Sequence, residues 1–163
     1  MMKYFYTIIT CSLLLLTGCQ TTQVSNNIQK ADSWFNVALA EDVEIYTDTA
    51  SIRHEGALMY AREKRVYITP ESKKLYVDKI RAEYAKMGKP EKAEKWNDFS
   101  YCIYECEYEC VNKRFRVLSV EDFDSTGKRI AKTISPKKQV RWLNVDNETV
   151  GDYTFFFVCD YGQ

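Results

Sequence analysis

Between residues 34 and 134, apolar and polar side chains mostly take turns, the period of a strand with one buried face. Trp34, Asn36, Ala38 and Ala40 alternate with Phe35, Val37 and Leu39, and "VEIYTD" continues extended to Asp48. "TDTAS" then carries a turn signal. In "GALMYAREKRVYI", Leu58, Tyr60 and Arg62 oppose Met59, Ala61 and Glu63, with a polar break expected near Arg62 to Arg65. "YCIYECEYEC" alternates strictly: Cys102, Tyr104, Cys106, Tyr108 and Cys110 share one parity, and Ile103, Glu105, Glu107 and Glu109 the other. After it the parity flips, because Phe115 and Val117 are odd-numbered, so a hairpin turn or bulge is expected at Asn112-Lys113. "RFRVLSVEDF", a "DSTGK" turn with Gly127 and a returning "RIAKTI" complete the strand series.

Two segments depart from period two. "TPESKKLYVDKIRAEYAKMG" has Thr69 as an N-cap, Pro70 at the first helical position and Gly88 as a stop, predicting a helix over about 70–87. Its stripe of Tyr76, Ile80, Tyr84 and Met87 reads as packing against a sheet. "KPEKAEKWND" adds a short helix ending near Trp96. At the C-terminus "YTFFFVC" is rich in strand formers, yet Thr149 and Asp152 suit a helix cap and would put Asp152, Phe155, Phe156 and Cys159 on one face. We read a short helix. The fold class expected is α+β: an antiparallel sheet flanked by one long helix and a short C-terminal helix.

The longest apolar run, Thr7 to Leu16, follows the single charge of Lys3 and has the length of an export-signal core. It falls short of the roughly 20 residues that span a bilayer. "LTGC", Leu16 to Cys19, resembles the bacterial lipobox, in which cleavage precedes a cysteine that carries lipid. This predicts a lipoprotein signal peptide over 1–18 and lipidation, with acyl chains such as palmitate, at Cys19. Gln20 rather than Asp follows that cysteine, which by resemblance to enterobacterial sorting rules favours the outer membrane. Residues 19–31 read as a flexible polar tether and 32–163 as one domain with a helical insertion over about 70–97.

Charge narrows the function little. Lys plus Arg and Asp plus Glu both number 23, so no bulk field points to nucleic acid or acidic lipid. Nine cations between Lys113 and Arg141 do outnumber Glu121, Asp122 and Asp124. Such a bias can attract phosphate or sulfate groups, although a solvated strand face is the commoner meaning. Lys137, Lys138 and Arg141 are the candidate ligand contacts. No catalytic residue, metal ligand or cofactor site is expected. There is no G-x-S-x-G, H-E-x-x-H or glycine-rich phosphate loop, and the lone His54 precedes Glu55-Gly56 in an expected turn.

Beyond Cys11 and Cys19 lie Cys102, Cys106, Cys110 and Cys159. An exported protein makes disulfides the first reading. Residues four apart on a strand are about 13 Å apart, whereas a bridge needs about 4.4–6.8 Å between Cα atoms. Either one of the three pairs with Cys159 and two remain, or a local distortion lets Cys102 meet Cys106. Zinc is disfavoured by the single histidine and the oxidising compartment. The neighbouring Glu105, Glu107 and Glu109 are expected to raise thiol pKa values and argue against a cysteine nucleophile.

Several fragments, in order, resemble the surface-adhesin protein E-like lipoproteins of Gram-negative bacteria. They are Trp34, "IYTDTASI" (45–52), "YECVNKRFRVLS" (108–119), "DFDSTGK" (122–128), Trp142, "TVGD" (149–152) and "VC" (158–159). The resemblance implies an antiparallel sheet with helix and a bridge between Cys110 and Cys159. Cys102, Cys106 and the 70–96 insertion depart from the family pattern. It also implies a non-enzymatic, lipid-anchored binding protein of the outer membrane, contacting host matrix protein, plasma protein or glycan. A periplasm-facing structural or assembly lipoprotein is the alternative. A homodimer could form through an exposed edge strand or an unpaired Cys102 or Cys106.

Overall fold

The computed structural model describes residues 33–40 and 42–161. The chain divides into two units, 1–30 and 31–163. The expected signal peptide, Cys19 and the tether up to residue 31 lie outside the described residues. Seven strands and two α-helices follow in the order β1 (Trp34–Ala40), β2 (Val43–Glu55), β3 (Leu58–Tyr67), α1 (Pro70–Lys86), β4 (Phe99–Glu109), β5 (Arg114–Asp124), β6 (Arg129–Ile134), β7 (Leu143–Asn144) and α2 (Val150–Tyr161). A 3-10 helix, Pro90–Trp96, lies between α1 and β4. Consecutive strands pair antiparallel from β1 to β6, and β7 adds a short pairing to β5. The α+β expectation holds.

Local chemistry explains most boundaries. The Thr69 hydroxyl accepts from the Ser72 amide at 3.2 Å and Pro70 opens α1, while Gly88 at φ +68° takes the left-handed conformation beyond its end. The β4–β5 hairpin turns where the parity flips, with Lys113 at φ +47°. The β5–β6 turn is held by the Asp124 carboxylate, which accepts from the amides of Thr126 and Lys128, both at 2.9 Å.

Strand β4 organises the interior. Cys102 packs with Val77, Trp96 and Phe99, whereas Cys106 and Tyr108 pack with Met59, Ala61, Phe155, Val158 and Cys159. Cys102 and Cys106 share a parity on a strand whose register with β3 is unbroken, so α1 and α2 cover the same sheet face, one toward each end of β4. A disulfide joins Cys110 to Cys159 with Cα atoms 5.8 Å apart, fastening α2 to the end of β4. Cys102 and Cys106 are free and fully buried, so neither the local Cys102–Cys106 bridge nor a thiol link between copies occurs in this fold.

Several expectations change. "TDTAS" is no turn: β2 runs on to Glu55 through a register shift between Asp48 and Arg53. The small polar residues build a bulge, with Asp48 Oδ1 accepting from the Ala50 amide at 3.2 Å and Ser51 Oγ from the Arg62 amide at 2.8 Å. His54 therefore lies in β2, exposed, and not in a turn. No break interrupts β3 near Arg62 to Arg65, because these charges find partners above and below the sheet. On β1 the alternation fails at a shift between Asn36 and Ala38, leaving Phe35 55% and Leu39 65% exposed on an edge strand. Phe35 still stacks on Phe157 with ring centroids 5.0 Å apart. In α1 the fully seated residue is Val77, while Met87 is exposed. The buried side of α2 is Thr154, Phe155, Val158 and Cys159; Phe156 is exposed beneath the Lys113 ammonium.

The bridge closes a loop of 49 residues, a constraint worth up to about 4 kcal/mol in chain-entropy terms. Cys110→Ser should lower the unfolding free energy in urea by about 2–4 kcal/mol and make α2 susceptible to proteolysis. An unchanged denaturation midpoint would show that the bridge contributes nothing to stability.

Candidate functional site on the open face of the sheet

The face of the sheet away from the helices is built from the other parity of each strand. Register places Tyr60 opposite Glu107, Arg62 opposite Glu105, and Arg116 and Arg114 opposite Glu107 and Glu109. Opposite charges directly across a ladder attract, so this alternation is a reason for the register as well as a consequence of it.

At its centre Glu107 is completely buried. Arg116 Nε donates to Glu107 Oε2 at 2.7 Å and the Tyr60 hydroxyl to Oε1 at 2.9 Å. Residues after β6 return over this cluster. Lys137 Nζ donates to the Tyr60 hydroxyl at 3.1 Å and to Glu107 Oε1 at 3.4 Å, and lies 5.0 Å from the Tyr60 ring centroid. Its own carbonyl accepts from Arg116 Nη1 at 3.2 Å. Trp142 lies against the guanidinium groups of Arg114 and Arg116, at 4.9 and 4.4 Å. Toward the other edge, Lys64 lies 4.8 Å from the Trp34 ring and 4.9 Å from that of Tyr46. The face is a lattice of cations on aromatic rings, a geometry that holds long side chains in place while leaving their charge near the surface.

Burial would raise the Glu107 carboxyl, but hydrogen bonds from Arg116 and Tyr60 and the charges of Arg116 and Lys137 hold it below the ordinary glutamate value. The hydrogen bond to Tyr60 and the charge of Glu107 in turn raise the Lys137 ammonium. On the helical face, burial pushes Cys102 up to about 11 and Cys106 well above its ordinary value. The carboxylate beside Cys106 is Glu63; Glu105, Glu107 and Glu109 belong to the opposite face. Desolvation, rather than the acidic neighbours in sequence, makes these thiols poor nucleophiles.

The basic bias between Lys113 and Arg141 is largely neutralised. Lys113 pairs with Asp152, Arg114 with Glu109, Arg116 and Lys137 with Glu107, and Arg129 and Lys132 with Glu121. Among the described residues Lys138 and Arg141 form no ion pair, and both are exposed. Of the three expected contact residues, Lys137 is thus turned onto the sheet, whereas Lys138 and Arg141 stand out from the same loop. Tyr60, Arg116 and Trp142 were not among the expected contact residues. The parity that sets Glu107 apart from the cysteines is the signal that could have led to them.

A meander with both helices on one face and a charged, aromatic lattice on the other gives the domain an α+β architecture. Solved structures similar to it include crystal form II of Haemophilus influenzae protein E, with 12% identity over 80% of this chain and 91% of that chain and a TM-score of 0.49. Protein E from non-typeable Haemophilus influenzae is similar with 13% identity over 80% of this chain and 78% of that chain, at a TM-score of 0.45. No curated protein matches the chain. A model of the family described as surface-adhesin protein E matches residues 34–160. The chain belongs to this family and so to the adhesin-like proteins of the cell envelope or surface. Among the described residues no helix is long and apolar enough to cross a membrane.

A carboxyl held low stabilises the fold above its ordinary pKa, and that share is lost as pH falls through the lower folded value. Asp122, which burial raises despite hydrogen bonds from Tyr76 and Trp96, works in the opposite sense, so the useful comparison is between wild type and Glu107→Gln. At pH 7 the variant should lose about 2–3 kcal/mol, and the gap should narrow as the pH falls below the ordinary glutamate value. A gap independent of pH in chemical denaturation would contradict the assignment.

Proposed function

We propose that this protein is a lipid-anchored adhesin of the outer membrane, held by acylated Cys19 and displayed on the cell surface by the 19–31 tether. It binds host matrix proteins, plasma proteins or glycans through the loop end of the open sheet face. Family membership supports the class. The observation that carries the choice of surface is the pair Lys138 and Arg141, which project without ion pairs among the described residues from a loop pinned by Lys137 and Trp142. Unspent positive charge on a held loop suits acidic or sulfated ligand groups, and Arg141 can engage these in a bidentate manner. Self-association through an exposed edge strand, β1 or β6, belongs to the same reading.

Protease added to intact cells should remove the domain, and Cys19→Ala should release the protein from the membrane fraction. The double variant Lys138→Glu, Arg141→Glu should keep wild-type stability and lower capture of matrix or plasma protein from serum about tenfold. A domain that resists protease until the outer membrane is permeabilised, and that captures only envelope components, would contradict display and support the periplasm-facing role.

A further inference from the structure

On the helical face, a cleft of about 840 Å³ lies between the strand ends and the start of α2. Its walls include Ile45, Tyr67, Phe115 and Val145, and the Thr149–Gly151 segment that opens α2 lines the same space. The one cation lining it is Arg65, projecting from the central strand β3. Its surroundings hold the guanidinium in place without satisfying it. The group lies 4.4 Å from the Tyr104 ring centroid, and Nη2 is 3.5 Å from Glu63 Oε2. That carboxylate already accepts from the Tyr108 hydroxyl through its other oxygen. Arg65 Nε is fully buried and has no acceptor among the described residues. The contrast with Arg116 is direct, since that guanidinium donates to a carboxylate and to a carbonyl.

The Arg65 side chain is 32% exposed while Nε is sealed from the cleft, so an acceptor arriving there would meet the terminal nitrogens of the guanidinium. We propose that this cleft binds a small apolar monocarboxylate, whose anionic end meets Arg65 and whose body lies along Ile45, Tyr67, Phe115 and Val145. The positive end of α2 adds to the attraction for the anion. Asp146 and Glu148 also line the cleft and repel anions, polyanions more strongly than a ligand with a single negative charge that Arg65 can offset. Small-molecule sites have this composition, with mostly apolar walls and a few fixed polar groups that set orientation. The cleft lies on the opposite face from Lys138 and Arg141, so its failure would leave the adhesin reading untouched, and the reverse also holds.

The test is calorimetric titration of the full chain in nanodiscs, with empty nanodiscs subtracted, using octanoate as an aliphatic probe and 2-naphthoate as an aromatic one. Binding of either carboxylate is expected, with octanol and octylamine at least tenfold weaker than octanoate. Arg65→Met should weaken carboxylate binding at least tenfold and Arg65→Lys less. Val43→Trp, which puts an indole into the cleft while leaving Arg65 in place, should weaken octanoate binding at least tenfold and covers the case in which Arg65→Met fails to fold. Absence of binding by both carboxylates, or octanoate binding that survives Val43→Trp unchanged, would overturn the proposal.

Discussion

Strand β4 is buried on both faces, and the two faces carry opposite chemistry. Cys102, Cys106 and Tyr108 sit under the helices, while Glu107 is buried on the other side beneath Tyr60, Arg116 and Lys137. A carboxylate taken out of water must be paired, so the positions of Tyr60 and Arg116 across the ladder are coupled to the choice of side chain at Glu107. Slipping β4 by one residue would turn glutamates toward Phe155 and Val158 and thiols toward the arginines. Both faces oppose that slip, which specifies the register of the central strands more firmly than apolar burial alone.

With the proposed contact site on the open face, this division separates stability from recognition. The helical face holds the apolar core and the Cys110–Cys159 bridge that secures α2. The open face spends most of its charge internally: Arg114, Arg116, Lys137, Arg129 and Lys132 are all committed to carboxylates. Lys138 and Arg141 form no ion pair among the described residues, and they share a loop whose path is set by Lys137 and Trp142. As the proposed binding surface it is an ordered scaffold with little net field: of the nine cations from Lys113 to Arg141, six are ion-paired, and Lys128, Lys138 and Arg141 form no ion pair among the described residues.

The features legible in the sequence are those set by neighbours in the chain. The alternation of β4, the parity flip that marks the Lys113 hairpin, and the Thr69-Pro70 start and Gly88 stop of α1 all depend on residues a few positions apart. The misreadings concern distant partners. "TDTAS" carries turn residues, but Ser51 and Asp48 serve a bulge whose partner, Arg62, lies on the next strand. Arg62 to Arg65 resembles a polar break only until Asp48, Trp34 and Tyr104 are known to stand beside it. Lys137 resembles a free contact because Glu107, which turns it inward, is 30 residues away. The cysteine pairing needed a family resemblance for the same reason: spacing could exclude neighbouring pairs, yet could not choose a partner for Cys159.

The central claim is that a surface-displayed open face keeps Lys137 bound to Glu107 and leaves Lys138 for a partner. A membrane-impermeant amine-acylating reagent, applied to intact cells and followed by peptide mass spectrometry, tests it most directly. The hydrogen bond to Tyr60 and the Glu107 charge keep Lys137 protonated and slow to acylate, whereas Lys138 is exposed and forms no ion pair among the described residues. The account predicts strong labelling at Lys138 and weak labelling at Lys137. Labelling absent until the outer membrane is breached, or equal at the two lysines, would contradict it.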